Sequence, residues 1–501
     1  MKRSPSEWVL LVVLLGAGAS AALVSEAGGL PVLAYRGLAL AFLVATSAFC
    51  LQVFLYRPER VDLWILFLFF SVLFFSADGI VRVGALEGAL SANRFRHGVE
   101  ALLLLALGLV VSCATYRAVA PRDPTGFVKR SICARIQTVR PMLVILLAGT
   151  IWGIRAYAAS RGLVISHARD VMVSAEGWTS LLIQLGSLAR PLLFFLGAAL
   201  LFAQGRFRRG LGALVIAGEL GAAAVGARRL FLEVVVVVSL VYLWSGRRPK
   251  ATQLAALAGA AVLVGAIVWP FMFQLRTAAD QTGLYWADPN DRFQILVYDT
   301  IPTAFATFRL GETLQTEGAY VGNIRERAST IEFLIEILAA QHAGQEPMGG
   351  QVIGTALVAT VPRLLWPGKE KLLNTETWQA EELIQSHFGL PLIDTGSTVL
   401  TQGYADGGVL GVALYATLLG VFLGLCEQSL RRSRCTILGL WVFGLGALLA
   451  IQIEANVTDI FVIGRAVAPL LLLDRLAGRT LEGWLTSRPR PNSTRLRLRT
   501  A

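Results

Sequence analysis

WVLLVVLLGAGASAALV, residues Trp8–Val24, carries no charged side chain and stands just after a basic start, Met1-Lys2-Arg3. Alone it has the layout of a secretory signal; beside the many later apolar runs of the chain, it reads as an uncleaved first membrane span. Repetition decides between the two. The chain has 501 residues, is 55% hydrophobic and 16% charged, and has a mean hydropathy of +0.62. One apolar run after another is long enough to cross ~30 Å of hydrocarbon at ~1.5 Å per helical residue. Transmembrane β-barrels are built from short alternating segments instead. The expected class is therefore an all-α polytopic membrane protein.

Twelve spans are expected, at about 8–24, 37–56, 63–78, 99–116, 142–160, 180–204, 211–226, 230–245, 254–275, 403–428, 435–453 and 459–476. Their connections sort by charge. Lys2 and Arg3, Arg57–Arg60, the loop 117–141, Arg206–Arg209, Arg247–Lys250, Arg431–Arg434 and the tail TRLRLRT all fall on one side. Loop 117–141 holds six Lys/Arg against the single acid Asp123. The positive-inside rule makes that side the cytoplasm and puts both termini there. The net charge of +12 is thus spread along loops rather than gathered on a nucleic-acid-binding face.

The other side receives the one large polar segment. From Arg276 to Asp394 there are fifteen acids and eight Lys/Arg, the reverse of the cytoplasmic balance. The chain divides into four units: a bundle of about nine spans (1–275), an outer lid-like loop before the last three spans (276–402), those spans (403–476) and a basic tail (477–501). Within the loop, STIEFLIEIL places Ile331, Leu334, Ile335 and Leu338 on one helical face, with Glu332 and Glu336 opposite. TWQAEELIQSHFGLP reads as a second amphipathic helix, stopped by Gly389 and Pro391. GQVIGTALVATVP is too short to span and reads as interfacial or re-entrant. The five Cys all avoid this loop, so no disulfide framework is expected outside.

Cations near the outer face run against the topological trend, and each needs a reason. They are Arg155 late in the fifth span, Arg228 and Arg229 in a tight turn, Arg276 ending the ninth span, and Arg363 in the loop. Snorkelling accounts for Arg155 and Arg276 as well as ligand binding does. Two cations in one short turn are harder to explain that way. Several guanidinium groups together suit a lipid diphosphate, which they grip through paired charge-assisted hydrogen bonds. Arg190, Arg465, Glu219 and Glu233 lie deeper, and buried Arg–Glu pairing is the simpler reading for them. His97, His167, His342 and His387 all map outside, where an imidazole can act as general base toward a sugar hydroxyl. No HExxH, CxxC or DxD-like pattern occurs, so sequence alone offers no metal site and no cofactor.

GARRLFLEVVVVVSLVYLW (Gly226–Trp244) resembles the external Arg turn and following helix of the bacterial O-antigen polymerase (Wzy) and ligase superfamily. VPRLLWPGK (Val361–Lys369), with GYADGGVLGVALYATLLGVFLG (Gly403–Gly424) further along, resembles the PR-x-x-WP-x-K … G-x-x-G region of oligosaccharide repeat-unit polymerases. The likeness covers roughly the last 280 residues in order; the earlier spans match only in hydropathy.

The resemblance implies a GT-C-like fold in the bacterial inner membrane, with a periplasmic loop over a lipid-facing cavity. It implies a metal-independent glycosyltransferase that moves a growing glycan from undecaprenyl diphosphate to the next lipid-linked repeat unit. Partner flippase and chain-length or export proteins come with that expectation. Arg228 or Arg229 would match the family's external Arg, and Arg363 and Lys369 the loop motif. Arg229 stands where a small residue is expected, and no His matches the ligases' loop base, leaving His387, His342 and Asp394 as candidates. The competing readings are a lipid-linked oligosaccharide flippase, an O-antigen ligase and a non-catalytic assembly partner.

Overall fold

The computed structural model describes all but residues 1–5, 28–30, 58–59, 82–91, 121–126, 161–176, 226–227, 247–270, 272–273, 276, 285–286, 289–290, 308–329, 362–365, 367–379, 391–396, 453–454 and 487–501. The described residues form α1 (Ser6–Ala27), α2 (Pro31–Tyr56), α3 (Leu63–Val81), α4 (Ala92–Val119), α5 (Phe127–Ile136), α6 (Pro141–Ser160), α7 (Gly177–Leu201), α8 (Arg206–Val225) and α9 (Arg228–Trp244). Past a helical stretch that includes a π turn at Ile295–Thr300, the outer segment holds α10 (Thr330–His342), α11 (Gln351–Thr360) and α12 (Ala380–Phe388). The chain then continues into α13 (Val399–Arg432), α14 (Thr436–Ile451) and α15 (Val457–Leu485). In hydrocarbon each backbone N–H and C=O must find its partner locally, which is why the apolar runs become helices.

Among the described residues, five helices are long and apolar enough to cross a bilayer: Pro31–Tyr56, Asn93–Val119, Pro141–Ala158, Leu182–Leu201 and Val399–Arg432. Shorter apolar helices lie at Val9–Leu23, Leu63–Ser76, Phe231–Trp244 and Thr436–Ile451. This is a helical membrane protein. The expected span 254–275 lies mostly outside the described residues. Large apolar side chains such as Val12, Leu40, Leu146 and Leu414 point outward, as they do where lipid is the solvent.

α13 lies along α4, α1 to α4 pack on one another, and α6 to α9 form a second group. α14 joins the groups by touching α3, α7, α13 and α15. Its sequence, TILGLWVFGLGALLAI, is apolar on every side, and such a helix belongs in the middle. Phe443 meets Phe195 and Trp244 in an aromatic cluster at the seam.

Among the described residues, the basic connections at Arg117, Lys129 and Arg434 are tied by ion pairs and hydrogen bonds, while Lys2, Arg3, 247–250 and the tail TRLRLRT lie outside the described residues. Arg117 holds Glu7 at 3.0 Å and Asp62 at 2.7 Å. Lys129 pairs with Glu427 at 3.0 Å and donates to the Val61 carbonyl at 2.6 Å. Asp474 accepts from the Arg434 and Cys435 amides and from Ser433. The loop 117–141 is therefore more than a solvated connection, because α5 inserts a 4%-exposed lysine into the base of the bundle. A buried ammonium is tolerable only when paired, and Glu427 provides the partner.

Candidate functional site

The helices of the outer segment sit on the opposite end of the bundle. α10 packs on α3, α4 and α13, and α11 packs on α15. α10 is buried more completely than its amphipathic pattern implies. Phe333 and Ile337 are fully buried beside the expected Ile331, Leu334, Ile335 and Leu338. The supposed wet face is used as well, for Glu332 and Glu336 both grip Arg94 at the start of α4.

The joint between the outer segment and α13 rests on a broken helix. The chain leaves helical geometry at Gly407 and Gly408, and Gly408 takes φ +57, a conformation that favours glycine. The two halves close on each other so tightly that a Cβ on Gly411 would overlap the Gly403 carbonyl. The break frees the carbonyls of Ala405 and Asp406, which accept from the Met348 and Gly349 amides at 2.9 Å each. In return the Asp406 carboxylate accepts from Val352 N at 2.9 Å and Ile353 N at 3.0 Å.

Those are the second and third amides of α11, the two that an N-cap side chain normally satisfies. The N-cap position is Gly350, which has no side chain, so Asp406 caps the helix from across the joint. Its negative charge also suits the helix N-terminus. Tyr415 donates its hydroxyl to the same carboxylate. At the other end of α11, Arg465 donates to the Thr360 carbonyl at 2.7 Å.

Asp406→Ala leaves two helix amides and a buried hydroxyl without their acceptor, each costing about 1–3 kcal/mol. We expect a clearly lowered thermal midpoint in detergent and faster proteolysis of the outer segment, with Asp406→Asn intermediate. An unchanged midpoint in the Ala variant would show that the joint is not held this way.

α12 ends as expected. Gly389 takes φ +60, and the Leu390 amide returns to the Gln385 carbonyl at 2.9 Å. On its last turn, His387 places Nε2 2.9 Å from the Glu346 carbonyl. A carbonyl only accepts, so in the neutral ring Nε2 carries the proton and Nδ1 keeps its lone pair. His387 is exposed, and the ring has the tautomer that a general base needs.

The other expected residues divide three ways. Arg155 is engaged, donating to both oxygens of Glu219 at 2.9 and 2.8 Å, with Trp152 Nε1 on the same carboxylate. Arg190 pairs with Glu233 at 2.9 Å, so the buried Arg–Glu reading holds for both acids. Arg228 and Arg229 open α9 at the end remote from Trp244, which lies against Lys129 in the basic end; only their backbone is described. Arg276, Arg363, Lys369 and Asp394 lie outside the described residues.

His342 meets two residues that sequence reading did not join to it, His97 and Glu100 of α4. Beside α13, a small aromatic depression is lined by Phe67, Phe70, Phe74 and Phe75, with Thr398 and Gln452 as polar neighbours. No sequence signal marks it beyond the density of Phe in α3.

Comparison with protein-family models, curated proteins and solved structures finds no match.

Proposed function

We propose that this protein polymerises undecaprenyl-diphosphate-linked oligosaccharide repeat units at the periplasmic face of the bacterial inner membrane. In this reading twelve spans carry a GT-C-like fold with both termini in the cytoplasm. The observation that supports it best is the outer segment tied to one end of the bundle by Asp406, Arg465 and the Arg94–Glu332/Glu336 pairs. A lid anchored this way suits chemistry on one face. A flippase working by alternating access is usually built from repeated halves that rock about a midplane site, and no internal repeat is evident in this sequence.

The reaction joins an acceptor hydroxyl of one unit to the anomeric carbon of the other. The new glycosidic C–O bond forms as the bond from that carbon to the lipid diphosphate breaks. The hydroxyl proton goes to a base, and His387 Nδ1 is the group whose tautomer suits that task. Charge grows on the leaving diphosphate, where Arg228 and Arg229 at the start of α9 would bind it. Helix-terminal amides add to their attraction for an anion. Arg276, Arg363 and Lys369 are the further cations available, whereas Arg155 would first have to release Glu219. Guanidinium charge serves here in place of a metal ion.

Purified protein given lipid-linked repeat units should yield a dimer, release one lipid diphosphate and consume no nucleotide sugar. Extension only of an acceptor lacking a diphosphate would make the protein a ligase. Transfer across the bilayer without a new bond would make it a flippase.

A further inference from the structure

His97 and Glu100 stand one turn apart on the same face of α4. His342 reaches them from the last turn of α10. Glu100 Oε2 is 3.6 Å from His97 Nδ1 and 3.3 Å from His342 Nε2. The two rings meet edge to face, with centroids 4.8 Å apart. Taken as hydrogen bonds, these separations are poor, since N–H···O pairs sit at about 2.7–3.2 Å. His97 Nδ1 is in fact buried without any hydrogen-bond partner. Such an atom is costly to bury unless something satisfies it.

A metal ion accounts for the same distances. With bonds of about 2.0–2.2 Å, two ligands of one tetrahedral ion stand roughly 3.3–3.6 Å apart. Both edges to Glu100 fall in that range, and the ligand atoms of all three residues lie within 4.8 Å of one another, so the two rings would turn toward each other to share one ion. The donor set is two imidazoles and a carboxylate. It suits a borderline ion such as Zn²⁺ and not Mg²⁺ or Ca²⁺, which prefer oxygen.

We propose that His97, Glu100 and His342 bind one Zn²⁺-class ion that clamps the outer-segment helix α10 onto α4. The ion does the same work as the neighbouring Arg94 pairs with Glu332 and Glu336, one turn back along α4. Glu100 is 39% and His342 52% exposed at the side chain, so the ion exchanges with solvent and yields to a chelator. Three protein ligands leave a fourth position for water. The clamp does not depend on the glycosyl-transfer reading, because it concerns how the lid is held.

The test uses the full chain in detergent, without a histidine tag, stripped by chelator and titrated with Co²⁺. We expect one ion per chain with the visible absorption of tetrahedral Co²⁺, displaced by Zn²⁺. His97→Ala, Glu100→Gln and His342→Ala should each lose that signal, while His167→Ala should keep it. Zn²⁺ should raise the thermal midpoint of the wild type and slow amide exchange over 331–338, and do neither in the three variants. Should an Ala variant fail to fold, His342→Cys keeps a ligand in place and should add a thiolate-to-Co²⁺ charge-transfer band. Absence of stoichiometric binding, equal binding by the variants, or no new band in the folded His342→Cys protein would overturn the proposal.

Discussion

Arg228→Ala or Arg229→Ala should abolish polymer formation while leaving the protein in the membrane at near-normal levels. Both residues open α9, whose far end is anchored by Trp244 against Phe195 and Phe443. What they supply is charge where charge is scarce: two guanidinium groups at a terminus already carrying about half a positive elementary charge. A charge-assisted hydrogen bond contributes about 1.5–3 kcal/mol net. Loss of a two-bond fork to the departing diphosphate would therefore slow transfer by roughly 10²–10⁴-fold at about 1.4 kcal/mol per decade. Lys should rescue poorly, because an ammonium keeps the charge but not the planar fork. The measurement is polymer length on a gel, normalised to protein in isolated membranes. Full-length polymer from both Ala variants would remove the turn from the site.

A cell lacking this protein should accumulate single repeat units on undecaprenyl diphosphate in the outer leaflet. Sidedness is the reason. The docked helices α10 to α12 share the end opposite the network built on Arg117, Lys129 and Asp474. If the basic end faces the cytoplasm, the chemistry comes after the lipid-linked unit has crossed. A membrane-impermeant glycosidase added to spheroplasts should then reach the accumulated units. With an intact ligase, one-unit products should replace long polymer. Units protected in the inner leaflet would favour the flippase, and normal polymer without the protein would end the polymerase reading.

What could be read from sequence were properties carried by neighbouring residues. Apolar run lengths foretell helices, five of which are long and apolar enough among the described residues to cross a bilayer, because a helix closes its hydrogen bonds within itself and needs no distant partner. Loop charges group the bundle ends for a similar reason, as each loop carries its own sign. The stop of α12 at Gly389 is equally local, a single residue with φ +60. The pattern of α10 gave its buried stripe but not the depth of burial, because Arg94, which takes up Glu332 and Glu336, lies far away in the chain.

Only the tertiary structure decided which distant groups meet. Asp406 caps a helix whose own cap position is a glycine, and nothing in the run YADGG announces that the acceptor is meant for Val352 and Ile353. Arg155 reads as a spare cation until Glu219 is set against it by the packing of α6 on α8. His97, Glu100 and His342 follow no ligand-spacing motif, since two come from α4 and the third from a helix laid across it. Sequence periodicity reports the face a residue occupies, but a charge or lone pair at the end of a flexible side chain finds its partner only once the helices have packed.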